Sequence, residues 1–79
     1  MDILGPLQEI FRDFFDNDTI VLTNETSSND IEGWTSLAQV NIIVMCELEF
    51  GVSFELSDLE QLKDRSVDNI IKMIEGKLK

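Results

Sequence analysis

Residues 36–50 form the segment that most constrains how this chain can fold. They follow an almost unbroken apolar pattern with helical spacing, and the pattern ends at Gly51, a residue type that commonly terminates helices. The apolar positions cover more of the helix than one buried stripe requires in a chain of 79 residues. We therefore expect a central helix over 36–50 that also leaves part of its apolar surface exposed for a partner.

A first helix is predicted over residues 4–15, because apolar residues recur there at helical spacing and polar residues occupy the opposite face. A long polar connection follows over residues 16–33. The apolar residues within 19–22 are the exception in this connection. We expect them to pack back onto the core.

Two further helices are predicted toward the C-terminus. The segment Ser57-Asp58-Leu59-Glu60 has the pattern of a capping box, in which Ser57 caps a short helix 3 that ends near Leu62. Ser66 is expected to cap a fourth helix. The apolar face of that helix consists of Val67, Ile70, Ile71, Ile74 and Leu78.

Size and composition limit the functions of the chain. Its 79 residues, 43% of them apolar, predict a single folded domain over 1–79, too small to enclose several converging catalytic groups. The lack of histidine and the single cysteine, Cys46, exclude the usual zinc sites and an intrachain disulfide. Asp16-Asn17-Asp18 lacks the ligands that would complete a calcium loop, so we expect no metal site. Cys46 is expected to be a small buried apolar residue.

Charge is distributed unevenly along the chain. Residues 1–62 contain 13 acidic residues and one basic residue, a net charge of −12, whereas residues 63–79 contain three acidic and five basic residues, a net charge of +2. Such a field repels nucleic acid and favours partners with basic surfaces. The N-terminus lacks a basic signal-peptide region, and no apolar run is long enough to span a membrane. We expect a soluble, cytoplasmic protein that does not bind nucleic acid.

The turn Gly33-Trp34-Thr35-Ser36-Leu37 places a serine at the start of the second helix. A serine at this position is most often a cap, with Gln39 reaching back, although Thr35 can be the cap instead. Free N–H groups and the positive end of the helix dipole also suit this position to an anionic group on the hydroxyl. Because the chain has no histidine to act as a base, Ser–His catalysis is excluded, and we expect no enzymatic activity.

With this helix order, the chain resembles the acyl carrier protein family. Three segments carry the resemblance, which covers nearly the whole chain: the turn 33–37, the helix end Glu47-Leu48-Glu49-Phe50-Gly51-Val52, and Ser66-Val67-Asp68-Asn69-Ile70-Ile71. The resemblance implies a small all-α four-helix bundle of the acyl-carrier type, with three longer helices, a short helix 3 and a long loop between helices 1 and 2. It also implies that Ser36 carries 4′-phosphopantetheine through a phosphodiester, and that the thiol of this arm carries acyl or aminoacyl groups as thioesters.

The same resemblance implies partners that dock on helix 2. A phosphopantetheinyl transferase would modify Ser36, and enzymes with basic patches would load and process the acyl group. The docking residues expected from it are Thr35, Leu37, Val40, Asn41, Val44, Met45 and Glu47. Leu48 is expected to pack in the core, and Trp34 to pack the loop against helix 2. We expect the protein to be a monomer.

Thr35 departs from the family pattern, in which an aspartate commonly precedes the attachment serine and is associated with recognition by the transferase. Threonine can cap the helix but supplies no negative charge, so slower or more selective modification is expected. This departure leaves an alternative open, an unmodified carrier-like interaction module that docks through helix 2. Fatty acyl, polyketide and aminoacyl cargo are all compatible with the sequence.

Overall fold

The computed structural model describes residues 2–61 and 65–78. It contains four helices: α1 (Leu4–Phe15), α2 (Ser36–Phe50), α3 (Leu56–Gln61) and α4 (Val67–Leu78). The described residues contain no β-strand, although Ser27 and Ser66 form an isolated antiparallel bridge. The predicted all-α fold with three longer helices and one short helix is confirmed, as are the predicted bounds of α1 and α2.

Helix α1 buries one face and ends in a left-handed C-cap residue. Leu7, Ile10 and Phe11 lie one helical turn apart and are buried in the core. The helix ends at Asp16, which adopts a left-handed conformation with φ of 50° and donates its backbone N–H to the carbonyls of Arg12 and Asp13.

Helix α2 packs against α1 and is apolar on more than its buried side. Its buried residues are Ala38, Gln39, Ile42, Ile43, Cys46 and Phe50. The helix ends at Gly51, whose φ of 66° places it in the left-handed region that glycine adopts without strain. The expectation that Leu48 packs in the core was wrong, because 82% of its surface is exposed.

Cys46 is buried on α2, as predicted. Burial, and secondarily the negative charges of Glu47 and Glu49, raise the pKa of the Cys46 thiol to about 12. The thiol is therefore protonated near neutral pH and packs as an apolar group.

The long connection between α1 and α2 is held against the bundle by side chains of α1. Ile20 and Leu22 are buried, as predicted for this segment, whereas Val21 between them is exposed. The Arg12 side chain donates from Nε to the Ile20 carbonyl at 2.8 Å. The Gln8 side chain accepts from the Leu22 backbone N–H at 3.0 Å. These bonds replace the backbone pairing that an irregular segment lacks.

The middle of this connection is hydrogen-bonded to the residues around the start of α4. The Ser28 N–H donates to the Arg65 carbonyl at 2.8 Å, and the Val67 N–H donates to the Thr26 carbonyl at 2.9 Å. Ser66 caps α4 as predicted, since its hydroxyl accepts from the Asn69 N–H at 3.3 Å.

Helix α3 begins differently from its prediction. Its N-terminal hydrogen bond joins the Glu55 N–H to Oδ2 of Asp58 at 2.8 Å, so Ser57 lies inside the helix and is not the cap. The same Asp58 oxygen lies 2.7 Å from Nζ of Lys77, which links α3 to α4. The capping pattern was therefore placed two residues too late: the side chain that reaches back is that of Asp58, which accepts from the Glu55 N–H, and not that of Glu60. The predicted end near Leu62 lies outside the described residues.

Candidate functional site

Ser36 is exposed at the first position of α2, and its hydroxyl is not used to cap the helix. Thr35 is the cap instead: its backbone is extended, and its Oγ1 accepts from the Ala38 N–H at 3.2 Å. Of the two capping alternatives open from the sequence, the structure therefore contains the one that leaves the serine hydroxyl at the helix N-terminus. There it faces the positive end of the helix dipole.

A buried tryptophan holds the turn that precedes Ser36. Trp34 packs edge-on against Phe11, with 4.8 Å between ring centroids and an interplanar angle of 81°. Its indole Nε1 donates to Oε1 of Gln39 on α2 at 2.7 Å. Trp34 thus joins the loop to helix 2 through this hydrogen bond, whereas its ring packs on helix 1 and not on helix 2 as predicted. Gln39 bonds this indole and does not form a capping box.

Arg65 approaches Ser36 from the start of α4. Its Nε donates to the Trp34 carbonyl at 3.1 Å, and its Nη1 donates to Oγ of Ser36 at 3.3 Å. The backbone of Arg65 is positioned by its hydrogen bond with Ser28. From the sequence, Arg65 is only one of the basic residues near the C-terminus, because no local pattern connects positions that lie 29 residues apart.

An open groove of about 520 Å³ extends from Ser36 between α2 and α3. Val40, Leu56 and Leu59 supply its apolar lining, and Gln39, Glu60 and Arg65 supply polar groups. The groove therefore combines an exposed hydroxyl, a cation and an apolar surface in one place.

The residues predicted for docking differ in how far they are exposed to solvent. Thr35, Leu37, Val40, Asn41 and Val44 are exposed. Met45 is half-buried and packs against the core. Glu47 is also half-buried, and its carboxylate accepts from the Phe54 N–H at 2.9 Å, which ties the end of α2 to the following link.

The exposed apolar residues of α2 form one continuous row. We call Leu37, Val40, Val44 and Leu48 the α2 stripe, since they are spaced three or four residues apart and all are exposed. Sequence reasoning missed Leu48 as a member of this row because it was assigned to the core.

The described residues contain neither a candidate metal cluster nor a candidate membrane-spanning helix. Within 2–61 and 65–78, no three potential metal-ligating side chains of His, Cys, Asp or Glu come together. None of the helices in those ranges combines the length and the apolar composition needed to cross a bilayer.

Comparison with known proteins settles the family. No protein-family model and no curated protein matches the chain. Among solved structures, it is similar to the solution NMR structure of the holo acyl carrier protein from Geobacter metallireducens, with 42% sequence identity and a TM-score of 0.83 over 99% of this chain and 87% of that chain. The chain belongs to the acyl carrier protein family. The resemblance stated from the sequence is thereby confirmed.

Membership in the acyl carrier protein family has two direct consequences. The fold is that of a carrier, and carriers are not enzymes, in agreement with the prediction of no catalytic activity. The carrier fold also implies interaction with biosynthetic enzymes and with a modifying transferase.

Proposed function

We propose that this acyl carrier protein is a single carrier domain that holds 4′-phosphopantetheine on Ser36. One observation carries the proposal: the Ser36 hydroxyl is exposed at the N-terminus of α2, with the Arg65 guanidinium 3.3 Å away. The Geobacter structure is named as that of a holo protein, which supports the assignment of this prosthetic group to the present family member.

The residues around Ser36 fit an anionic group. A phosphodiester on Oγ would lie beside the guanidinium of Arg65 and at the positive end of α2. Arg65 is one of only six basic residues in a chain whose net charge is −10. Thr35 supports the fit indirectly: because it caps α2, the Ser36 hydroxyl is free to react with a transferase.

When bound, the phosphopantetheine arm supplies a thiol that holds acyl or aminoacyl groups as thioesters. The protein's own contribution is to hold this arm and to present it to partner enzymes. Ser36 provides the attachment oxygen, Arg65 neutralises charge beside it, and the groove of about 520 Å³ offers apolar surface next to the attachment point. We infer a role in fatty acid or polyketide biosynthesis, in which an intermediate moves between enzymes without leaving the carrier.

We propose that partner enzymes dock along α2. The α2 stripe supplies apolar contact area beside Ser36, and exposed Thr35 and Asn41 flank it. The strongly acidic chain favours partners with basic patches, including the phosphopantetheinyl transferase, and disfavours nucleic acid. We further propose that the protein acts as a monomer in the cytoplasm.

The proposal is tested by intact mass. The protein is incubated with coenzyme A and a broad-specificity phosphopantetheinyl transferase, beside the variants Ser36→Ala and Ser53→Ala. Ser53 is a matched control, because it is an exposed serine outside the helices. We expect the original protein and Ser53→Ala to gain one phosphopantetheinyl group, and Ser36→Ala to gain none.

Two results would contradict the proposal in different ways. A mass gain that persists in Ser36→Ala would assign the attachment to another residue. A protein that stays unmodified with several transferases would favour the alternative in which this family member is an unmodified interaction module that docks through α2.

A further inference from the structure

The orientation of the Gln39 side-chain amide is fixed by its neighbour. The indole N–H of Trp34 can only donate a hydrogen bond, so the Gln39 atom 2.7 Å from it must be the oxygen, Oε1. The nitrogen, Nε2, consequently points away from Trp34 with its two N–H groups. Rotating the amide by half a turn would place two donors against each other.

The Nε2 nitrogen has no acceptor. Gln39 is only 7% exposed, and its Nε2 is buried without a hydrogen-bond partner. Buried polar atoms in native proteins nearly always have a partner, and an unpaired one calls for a specific explanation. Gln39 is held in this orientation by its bond to Trp34, whose ring packs on Phe11.

The position of Gln39 indicates where an acceptor would come from. Gln39 lines the groove that begins at Ser36, and three of the other lining residues, Val40, Leu56 and Leu59, offer no acceptor side chain. Glu60 also lines the groove, but its carboxylate does not bond Nε2. The groove is therefore the route by which a bound molecule could bring an acceptor to Nε2.

We propose that Gln39 is a binding residue of the groove, whose Nε2 donates a hydrogen bond to an oxygen atom of the chain held there. This inference rests on the proposed attachment at Ser36. The ligand class is an acyl chain or arm that presents a carbonyl or hydroxyl oxygen, because a purely hydrocarbon chain would leave the buried donor unpaired. The oxygen has two sources, the amide carbonyls of the arm and the oxygens of the cargo.

The test is an NMR measurement of the Gln39 side-chain amide in ¹⁵N-labelled protein. Four samples are compared: unmodified protein, and protein loaded by a transferase from coenzyme A, from butyryl-coenzyme A and from 3-hydroxybutyryl-coenzyme A. Intact mass establishes loading in each sample. We expect at least one Gln39 Nε2 proton to move downfield when the oxygen binds, and the Trp34 indole proton to keep its hydrogen-bonded position.

Asn41 provides an internal control on the same helix. Its carboxamide is exposed, and its Nδ2 already donates to the Leu37 carbonyl at 3.1 Å. Its resonances should move little in all four samples. A general rearrangement of α2 would shift both amides, whereas binding in the groove shifts that of Gln39.

The sample in which the change first appears identifies the source of the oxygen. A change on loading from coenzyme A assigns an arm amide, a first change with butyryl assigns the thioester carbonyl, and a first change with 3-hydroxybutyryl assigns the cargo hydroxyl. If Gln39 stays unchanged in all loaded samples, or if Asn41 shifts equally, the inference is overturned while the attachment at Ser36 stands.

A chemical route separates this inference from the proposed function. If the transferases fail to modify the protein, Ser36→Cys is alkylated with iodoacetamide derivatives of the same pantetheine arm, ending in butyryl or 3-hydroxybutyryl. Cys46 is buried and protonated near neutral pH, so alkylation is directed to position 36. A downfield Gln39 proton in these adducts supports the inference independently of enzymatic attachment, and an unchanged one overturns it.

Discussion

Thr35 is used by α2 as its cap, which makes the residue before Ser36 structurally important even though it carries no charge. Replacement by alanine would remove the acceptor for the Ala38 N–H. Loss of an N-cap of this type typically costs about 1 kcal/mol. Replacement by aspartate would keep the acceptor and add a negative charge at the positive end of the helix, a favourable interaction of roughly 0.3–1 kcal/mol.

We therefore predict that Thr35→Ala lowers the free energy of unfolding by about 1 kcal/mol. Thr35→Asp should have a free energy of unfolding equal to or higher than that of the original protein. We also predict that Thr35→Asp is modified faster by a transferase, because it restores the charge that threonine lacks. Urea unfolding and the initial rate of mass gain measure the two effects. Equal modification rates for threonine and aspartate would show that the charge at this position does not limit recognition.

The site around Ser36 was only partly predictable from the sequence. Ser36, Thr35 and Trp34 lie in one short turn, where capping patterns and composition are informative. Arg65 contacts Ser36 across 29 residues of sequence, and its role depends on the backbone bonds that join the loop to the start of α4. Gln39 was noted only as a capping residue, because its bond to Trp34 depends on how that indole packs against α1.

Helix α2 shows why an apolar pattern predicts a helix better than it predicts the faces of that helix. In α1, polar and apolar residues separate, and the buried residues Leu7, Ile10 and Phe11 follow from the spacing. In α2, apolar residues occur on all sides, so spacing does not distinguish a residue that faces α1 from one that faces solvent. Leu48 was assigned to the wrong side for this reason.

Helices α3 and α4 are connected through Asp58. Its carboxylate accepts from the Glu55 N–H and lies 2.7 Å from Nζ of Lys77. The bond from Glu55, followed by that from Lys77, lowers the pKa of Asp58 below its ordinary value of 3.8. A carboxyl group with a lowered pKa in the folded state stabilises that state above its ordinary pKa, and this contribution is lost as the pH falls through the lowered value.

We predict that Asp58→Asn increases hydrogen exchange at the Leu59 and Glu60 amides while changing global stability little. Asparagine keeps an oxygen for the Glu55 N–H but loses the ion pair with Lys77, and partly exposed ion pairs contribute little to overall stability. In the original protein, the same amides should lose protection as the pH falls below 3.8.

Asp68→Asn is the matched control for this measurement. Asp68 pairs with Lys72 inside α4 at 2.9 Å and does not link α4 to α3. Its replacement should leave the exchange of the α3 amides unchanged. Equal effects of the two substitutions would show that the Asp58–Lys77 link does not hold α3 in place.

Across the entire chain, the net charge of −10 acts against the compact state. Most of this charge lies within residues 1–62, whose net charge of −12 arises from 13 acidic residues and one basic residue. Salt screens repulsion between exposed charges, with a screening length of about 10 Å at 0.1 M. We predict that the urea midpoint of unfolding rises when sodium chloride is added to a low-salt buffer.

The double variant Glu25→Gln/Glu32→Gln tests the cause of that rise. Both glutamates are exposed in the long connection, so their replacement removes charge with little change in packing. The variant should be more stable at low salt and should gain less from added salt. If added salt raises the urea midpoint of the original protein and of the variant equally, the salt acts through a mechanism other than screening of repulsion.

The sequence alone determined the four-helix organisation, the bounds of α1 and α2, the turn before Ser36, the family and the acidic character of the chain. These properties depend on residues that are close in sequence: helical spacing, caps, and glycine or aspartate at helix ends. Only the tertiary structure decided which side of α2 faces solvent, that the indole of Trp34 packs on α1, and that Arg65 lies beside Ser36. Those contacts depend on how the helices and the long connection pack, and packing brings together residues between which no local pattern exists.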